Sequence, residues 1–164
     1  MDYVDKVSQE RRDYSRSVGN AVEQQFIDAC LKIGYVCEKT TDNVDIYKHI
    51  DFYIYRPNGT FTSVDVKGGN HPKTIWVEFK NVSGNNGWLY GESEYIAFHL
   101  PELVSFLMIK RLALVERCEN IVEKVFVSKE ESHKKLYTRK DRKDVISKLH
   151  LEDIEDIIKY KLYF

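Results

Sequence analysis

The chain has 164 residues, 43% hydrophobic and 31% charged, which excludes a disordered chain and one too small to bury a core. The formal net charge of −1 excludes a protein coated in positive charge, though not a local basic groove on an acidic background. At this length the expectation is one domain, residues 1–164.

The three cysteines, Cys30, Cys37 and Cys118, are odd in number and form no CxxC pair. Neither a disulfide framework nor a zinc site is expected. Reduced thiols in a cytoplasmic setting fit best (the host cytoplasm if the chain is viral). The first residues, MDYVDKVSQERRDYSRS, are charged and have no apolar stretch of signal-peptide type. No run of about 18 apolar residues occurs, so no membrane span is expected.

In chain order, the first 34 residues have helical character. Val18, Val22, Phe26, Ala29, Cys30 and Ile33 recur at three- and four-residue steps and make one apolar face, and Gly34 is placed to cap it. The more polar segment before Val18 is a separate helix or an arm. Asp45 to Tyr55 is β-rich, Pro57-Asn58-Gly59 marks a turn, and Thr60 to Lys67 returns as a second strand ended by Gly68-Gly69. Thr74 to Val82 is a third strand and Glu94 to His99 a fourth, mostly buried one. Pro101 opens a helix to about Glu119 with Leu103, Phe106, Leu107, Leu114 and Val115 inside. Ile121 to Val127 is a further strand or the end of that helix. Residues 129–148 form a basic appendage, and Asp153 to Phe164 an amphipathic ending, helical at first. The expected fold class is α/β, or layered α+β: a central mixed sheet of four or five strands flanked by helices.

The chemistry concentrates on the hairpin. Alternate strand residues share a face, so Asp65 and Lys67 point the same way. Pairing across the turn brings Asp51 close to Asp65, among Ile50, Phe52, Ile54, Val64 and Val66. Two carboxylates and one ammonium in apolar surroundings are costly to bury without a partner. A hard divalent cation held by carboxylate oxygens would be that partner. Such an ion suits phosphodiester hydrolysis, and a lysine beside it can orient the attacking water or stabilise developing charge. The alternative for the same three residues is a surface strand with cross-strand charge pairs.

These residues resemble the PD-(D/E)XK nuclease superfamily, the restriction-endonuclease-like fold. The matching stretches are His49-Ile50-Asp51 and, after thirteen intervening residues, Asp65-Val66-Lys67, with Glu23 as the acidic helix residue ahead of them. The motif's first position is Ile50 here rather than proline. The resemblance covers roughly residues 18–100. It implies a DNA endonuclease dependent on Mg²⁺ or Mn²⁺, of a small phage-type or junction-resolving sort. Asp51 and Asp65 would be metal ligands, the Val66 carbonyl a further one, and Glu23 a supporting carboxylate. Lys67 would position the water. Many members cut as dimers, which adds a second copy of the chain to the expected partners beside DNA. A second register, Asp65 with Glu78 and Lys80 after twelve residues, also fits the pattern and retains Asp65. In the first register Glu78 and Lys80 flank the site from the next strand.

Around this core, the loop 83–91 could lie along a nucleic-acid backbone and stack Trp88 on a base, or be a packed surface loop. Residues 129–148 hold eight Lys/Arg against four Asp/Glu, and Arg139, Lys140, Arg142 and Lys143 are candidate phosphate contacts, as are Lys110 and Arg111. A solvated charged face is the other reading of that stretch. Two rival functions stay open. One is a non-catalytic DNA-binding or protein-interaction domain on the same fold; the other is a hydrolase of small phosphoesters.

Overall fold

The structure, a computed structural model, describes residues 3–69, 71 and 73–164; in the first helix it describes the side chains of Gln9, Asp13, Arg16 and of all residues from Gly19 onward. The elements run α1 (Tyr3–Lys32), β1 (Val36–Lys39), α2 (Asp42–Lys48), β2 (Phe52–Tyr55), β3 (Phe61–Lys67), β4 (Thr74–Lys80), β5 (Tyr95–Leu100), β6 (Ser105–Lys110) and α3 (Arg111–Ile121). They continue with β7 (Glu123–Phe126), β8 (Lys135–Leu136), β9 (Val145–His150) and β10 (Ile158–Tyr163). A mixed six-stranded sheet in the order β1-β2-β3-β5-β6-β10 forms the centre. Its strands pair antiparallel except β3 with β5.

Helix α1 covers one face. Val22, Phe26, Ala29 and Cys30 pack on Phe52, Ile54, Val64, Ala97, Phe106, Met108 and Leu162. Ile33, expected on that apolar face, is exposed, and the Val18 side chain lies outside the described residues. Gly34 follows the helix at φ 80°, a left-handed position that suits glycine. The segment before Val18 is continuous with the rest of α1 and forms no separate element.

The other face carries α3 and a small antiparallel sheet, β4-β9. Ile75, Val77 and Phe79 of β4, Leu149 of β9 and Leu114 and Cys118 of α3 meet Ile96, Phe98, Leu100, Leu107 and Ile109 of the central sheet. Strand β5 is therefore covered on both sides, and all six of its residues are buried.

Several expected elements are different in the structure. Asp45–Tyr55 is not one strand. Thr41 caps α2 by accepting from the Val44 N–H, and His49 ends the helix in the left-handed region at φ 53°, so the strand begins only at Phe52. The Thr74–Val82 strand leaves the central sheet and pairs with β9. The expected helix from Pro101 is one 3₁₀ turn, Pro101–Leu103, followed by β6 and only then by α3. Phe106, Leu107, Met108 and Ile109 are all buried, and four successive apolar residues fit a strand covered on both faces better than one helical face. The 129–148 stretch is no appendage, because β9 seals the core under β4. The ending is two 3₁₀ turns and then edge strand β10 on β6, not a helix. With β1 and β10 at its edges the sheet has six strands, rather than four or five.

Candidate functional site

Strand register assembles an acidic centre. Phe52 pairs with Val64, and the Asp51 N–H donates to the Val64 carbonyl at 2.9 Å, so Asp51 enters β2 directly across from Asp65. The Asp51 carboxylate then accepts from the Val66 N–H at 2.7 Å. Val64 turns to the α1 face, so Asp65 and Lys67 turn to the opposite one, toward β4. Asp65 is 1% exposed and Asp51 8%.

Lys67 Nζ stands 2.8 Å from Asp65 Oδ1. At that distance the ammonium is the donor that Asp65 Oδ1 has, and the carboxylate of Asp51 shares the site with it. Burial raises the Asp65 carboxyl, with Lys67 pulling against it. Burial and the Asp65 charge push Asp51 up to about 6. Partial desolvation and the Asp51 charge push Asp45, on α2, to about 6 as well. Burial works against the Lys67 ammonium, but Asp65 and Asp51 outweigh it and hold Lys67 above its ordinary value.

Asp45, Asp51, Asp65 and Glu23 set four carboxylates against two ammoniums, Lys67 and Lys39, so the cluster is short of positive charge. The donor set is hard oxygen, and the buried Asp65 carboxylate belongs to it. Carboxylate oxygens are donors of the kind that Mg²⁺ and Mn²⁺ prefer.

The neighbours come from four elements. Glu23 of α1 pairs with Lys39 of β1 at 2.7 Å, and its charge is felt at Asp45. Glu78 of β4 is felt at Lys67 and His49, while its Oε1 accepts from the Trp88 N–H at 3.3 Å. Lys80, the lysine of the second register, is exposed at the end of β4 in the smaller sheet. The sequence alone does not single out Asp45, and His49 enters only as the neighbour in the His49-Ile50-Asp51 stretch. The signal that could have found them is Thr41-Asp42, a helix start with acids in its first turn.

The candidate nucleic-acid residues scatter. Trp88 is 7% exposed, packed edge-on to Phe98, with Lys67 Nζ 5.5 Å above its ring, so it is a wall and not an open stacking surface. Arg111 opens α3 and is occupied internally by the Ser93 and Leu89 carbonyls. Lys110 is exposed at the end of β6. Arg139 is held by Asp144 at 2.5 Å, and Lys140, Arg142 and Lys143 are exposed on the loop that follows. Beside Lys67 opens a cavity of about 450 Å³, walled by Gly68, Trp76, Trp88 and Lys129 among others.

Among the described residues, the group of three side chains whose ligand atoms stand close enough together for one divalent ion lies elsewhere. His133, His150 and Asp153 are half-buried and offer ligand atoms within 4.8 Å of one another. The histidine rings stack at 3.7 Å. Here, however, the carboxylate is already satisfied. Asp153 Oδ2 shares a 2.8 Å hydrogen bond with His133 Nε2 and accepts the His150 N–H at 2.8 Å, and Lys134 lies 3.2 Å from Oδ1. An ion there would compete with the Lys134 and His150 N–H contacts of Asp153, as an ion at Asp65 would compete with Lys67.

No family model, curated protein or solved structure matches the chain. Among the described residues, no helix is long and apolar enough to cross a membrane.

Proposed function

We propose that the chain is a metal-dependent DNA endonuclease of the PD-(D/E)XK kind, in which Asp51 and Asp65 hold a Mg²⁺ or Mn²⁺ ion and Lys67 acts on the attacking water. The observation that carries this reading is the buried Asp65 carboxylate. It is 1% exposed, lies across from Asp51, and has the Lys67 ammonium 2.8 Å away in a cluster with more carboxylates than ammoniums. The layout adds support: an acidic helix residue, then a hairpin with one aspartate at its entry and Asp-Val-Lys on its return strand.

A bound divalent ion supplies positive charge to a phosphoryl oxygen and a water of lowered pKa. The chain's own groups do the rest. Burial keeps the Asp51 and Asp65 carboxylates in place, and the Val66 N–H fixes Asp51 Oδ2. Lys67, held charged by both aspartates, presents a donor to a nucleophilic water or to a non-bridging phosphate oxygen. Glu78 and His49 lie close enough to bias that ammonium electrostatically. The expected substrate is DNA, and a second copy of the chain is the expected partner for cutting both strands.

The test is incubation of linear, circular and branched DNA with Mg²⁺ or Mn²⁺, comparing the wild type with Asp65→Asn and Lys67→Ala. Each substitution should slow cleavage at least about a hundredfold. Undiminished cleavage by both variants would remove the site. No cleavage with either metal would leave the DNA-binding domain as the better account.

A further inference from the structure

The cavity beside Lys67 does not end there. Trp76, Trp88 and Lys129 also wall a second hollow of about 350 Å³, which continues past Glu78 to Tyr137 and Arg139. The two hollows share these three walls, and together they make a groove lined by Lys67 in one part and by Arg139 in the other. Trp76 and Tyr137 are half-buried, their ring centroids 6.2 Å apart, and Lys148 Nζ sits 5.9 Å from the Trp76 ring. Among the described lining residues Lys129 brings positive charge, Lys67 and Arg139 are each paired with an aspartate, and Glu78 is the carboxylate.

We infer that this groove holds an unpaired DNA strand and feeds it to Asp51, Asp65 and Lys67, so that the preferred substrate is single-stranded or contains an unpaired segment. Partly open aromatic faces alternating with cations are what a strand with free bases needs: rings to stack on and charge along the phosphates. A duplex stacks its bases on one another and offers this groove only its phosphates. The groove meets the proposed reaction centre at Lys67, which lines it, while Asp51 and Asp65 are not among its described walls. The inference rests on the nuclease reading for its consequence, but binding can be measured apart from cutting.

The experiment uses the wild-type chain in EDTA, with a fluorescein-labelled oligothymidylate and a labelled duplex of equal length, followed by anisotropy across a salt series. The single strand should bind about tenfold tighter than the duplex. Trp76→Ala and Tyr137→Ala should each weaken single-strand binding about fivefold or more and leave the duplex nearly unchanged. Trp76→Phe, which keeps a ring, should retain most of the binding. Lys129→Gln should reduce the slope of log affinity against log salt by about 0.7. Equal affinity for the two DNAs, or unchanged binding by Trp76→Ala and Tyr137→Ala with native circular dichroism, would overturn the inference. Cleavage with Mg²⁺ but no strand preference would sink the groove and keep the nuclease. Tight single-strand binding without cleavage under either metal would keep the groove and sink the nuclease.

Discussion

Asp51 is the side chain whose protonation best reports on the site. Its carboxyl is moved from the ordinary 3.8 to about 6, by burial first and by Asp65 second. In the absence of metal, the folded chain keeps this proton up to about pH 6, while the unfolded chain releases it near pH 4. The folded state therefore binds more protons between those values, and metal-free stability falls as pH rises through about 4 to 6. A shift of about two pKa units corresponds to up to ~3 kcal/mol of destabilisation above that window. Asp51→Asn keeps an oxygen for the Val66 N–H and removes the charge. In EDTA at neutral pH it should melt several degrees higher than the wild type. The wild type, but not Asp51→Asn, should be stabilised by Mn²⁺, and more at pH 7.5 than at pH 5. A lower melting temperature for Asp51→Asn in EDTA would contradict the charge crowding described here.

Helix α2 and its exit set the distance from Asp45 to Asp51, and the element depends on a glycine outside it. A Cβ on Gly91 would lie 2.8 Å from His49 Cβ and 2.9 Å from the Lys48 carbonyl. The Glu92 N–H donates to that same carbonyl at 2.8 Å, so the 88–92 turn is clamped to the end of α2. Gly91→Ala should therefore cost about 1–3 kcal/mol of overpacking strain, a drop of roughly 3–10 °C in melting temperature, and move His49 off its place. Differential scanning calorimetry checks this; an unchanged transition would mean that the clamp is not tight. The same element shows why local pattern misled. Ile46, Tyr47 and Ile50 look strand-like, but Ile46 and Tyr47 are 63% and 79% exposed, so no sheet neighbour rewards the extended form. The Thr41 cap and the acids after it then decide for a short helix.

The whole molecule is a central sheet clamped between α1 and the α3/β4-β9 layer, and Phe26 is the main rivet on the α1 side. It is fully buried, edge-on to Phe106 at 5.2 Å and tilted against Phe52 at 5.6 Å. Phe26→Ala should cost about 3–5 kcal/mol, read as a lower urea midpoint with nearly unchanged slope. Because Glu23 lies one turn earlier and ties to Lys39, loosening α1 should also weaken the metal response before global unfolding. A midpoint shift below about 1 kcal/mol would mean that α1 packs only loosely on the sheet.

The hairpin and the burial of its two aspartates were legible in the residues themselves. Pro57-Asn58-Gly59 marks the turn, strand periodicity puts Asp65 and Lys67 on one face, and the apolar flanks predict burial, because these signals are local. The apolar face of α1 was legible for the same reason. What tertiary contacts decided is everything that depends on a distant partner. Phe106 to Ile109 are strand because β5 and β10 pair with them; β4 leaves the central sheet because β9, some seventy positions later, completes it. Asp45 and His49 join the acidic centre, and Trp76, Lys129 and Tyr137 line one groove, only when chain segments far apart in order are packed side by side. No local period encodes such meetings, since burial and pairing energies are settled by the folded whole.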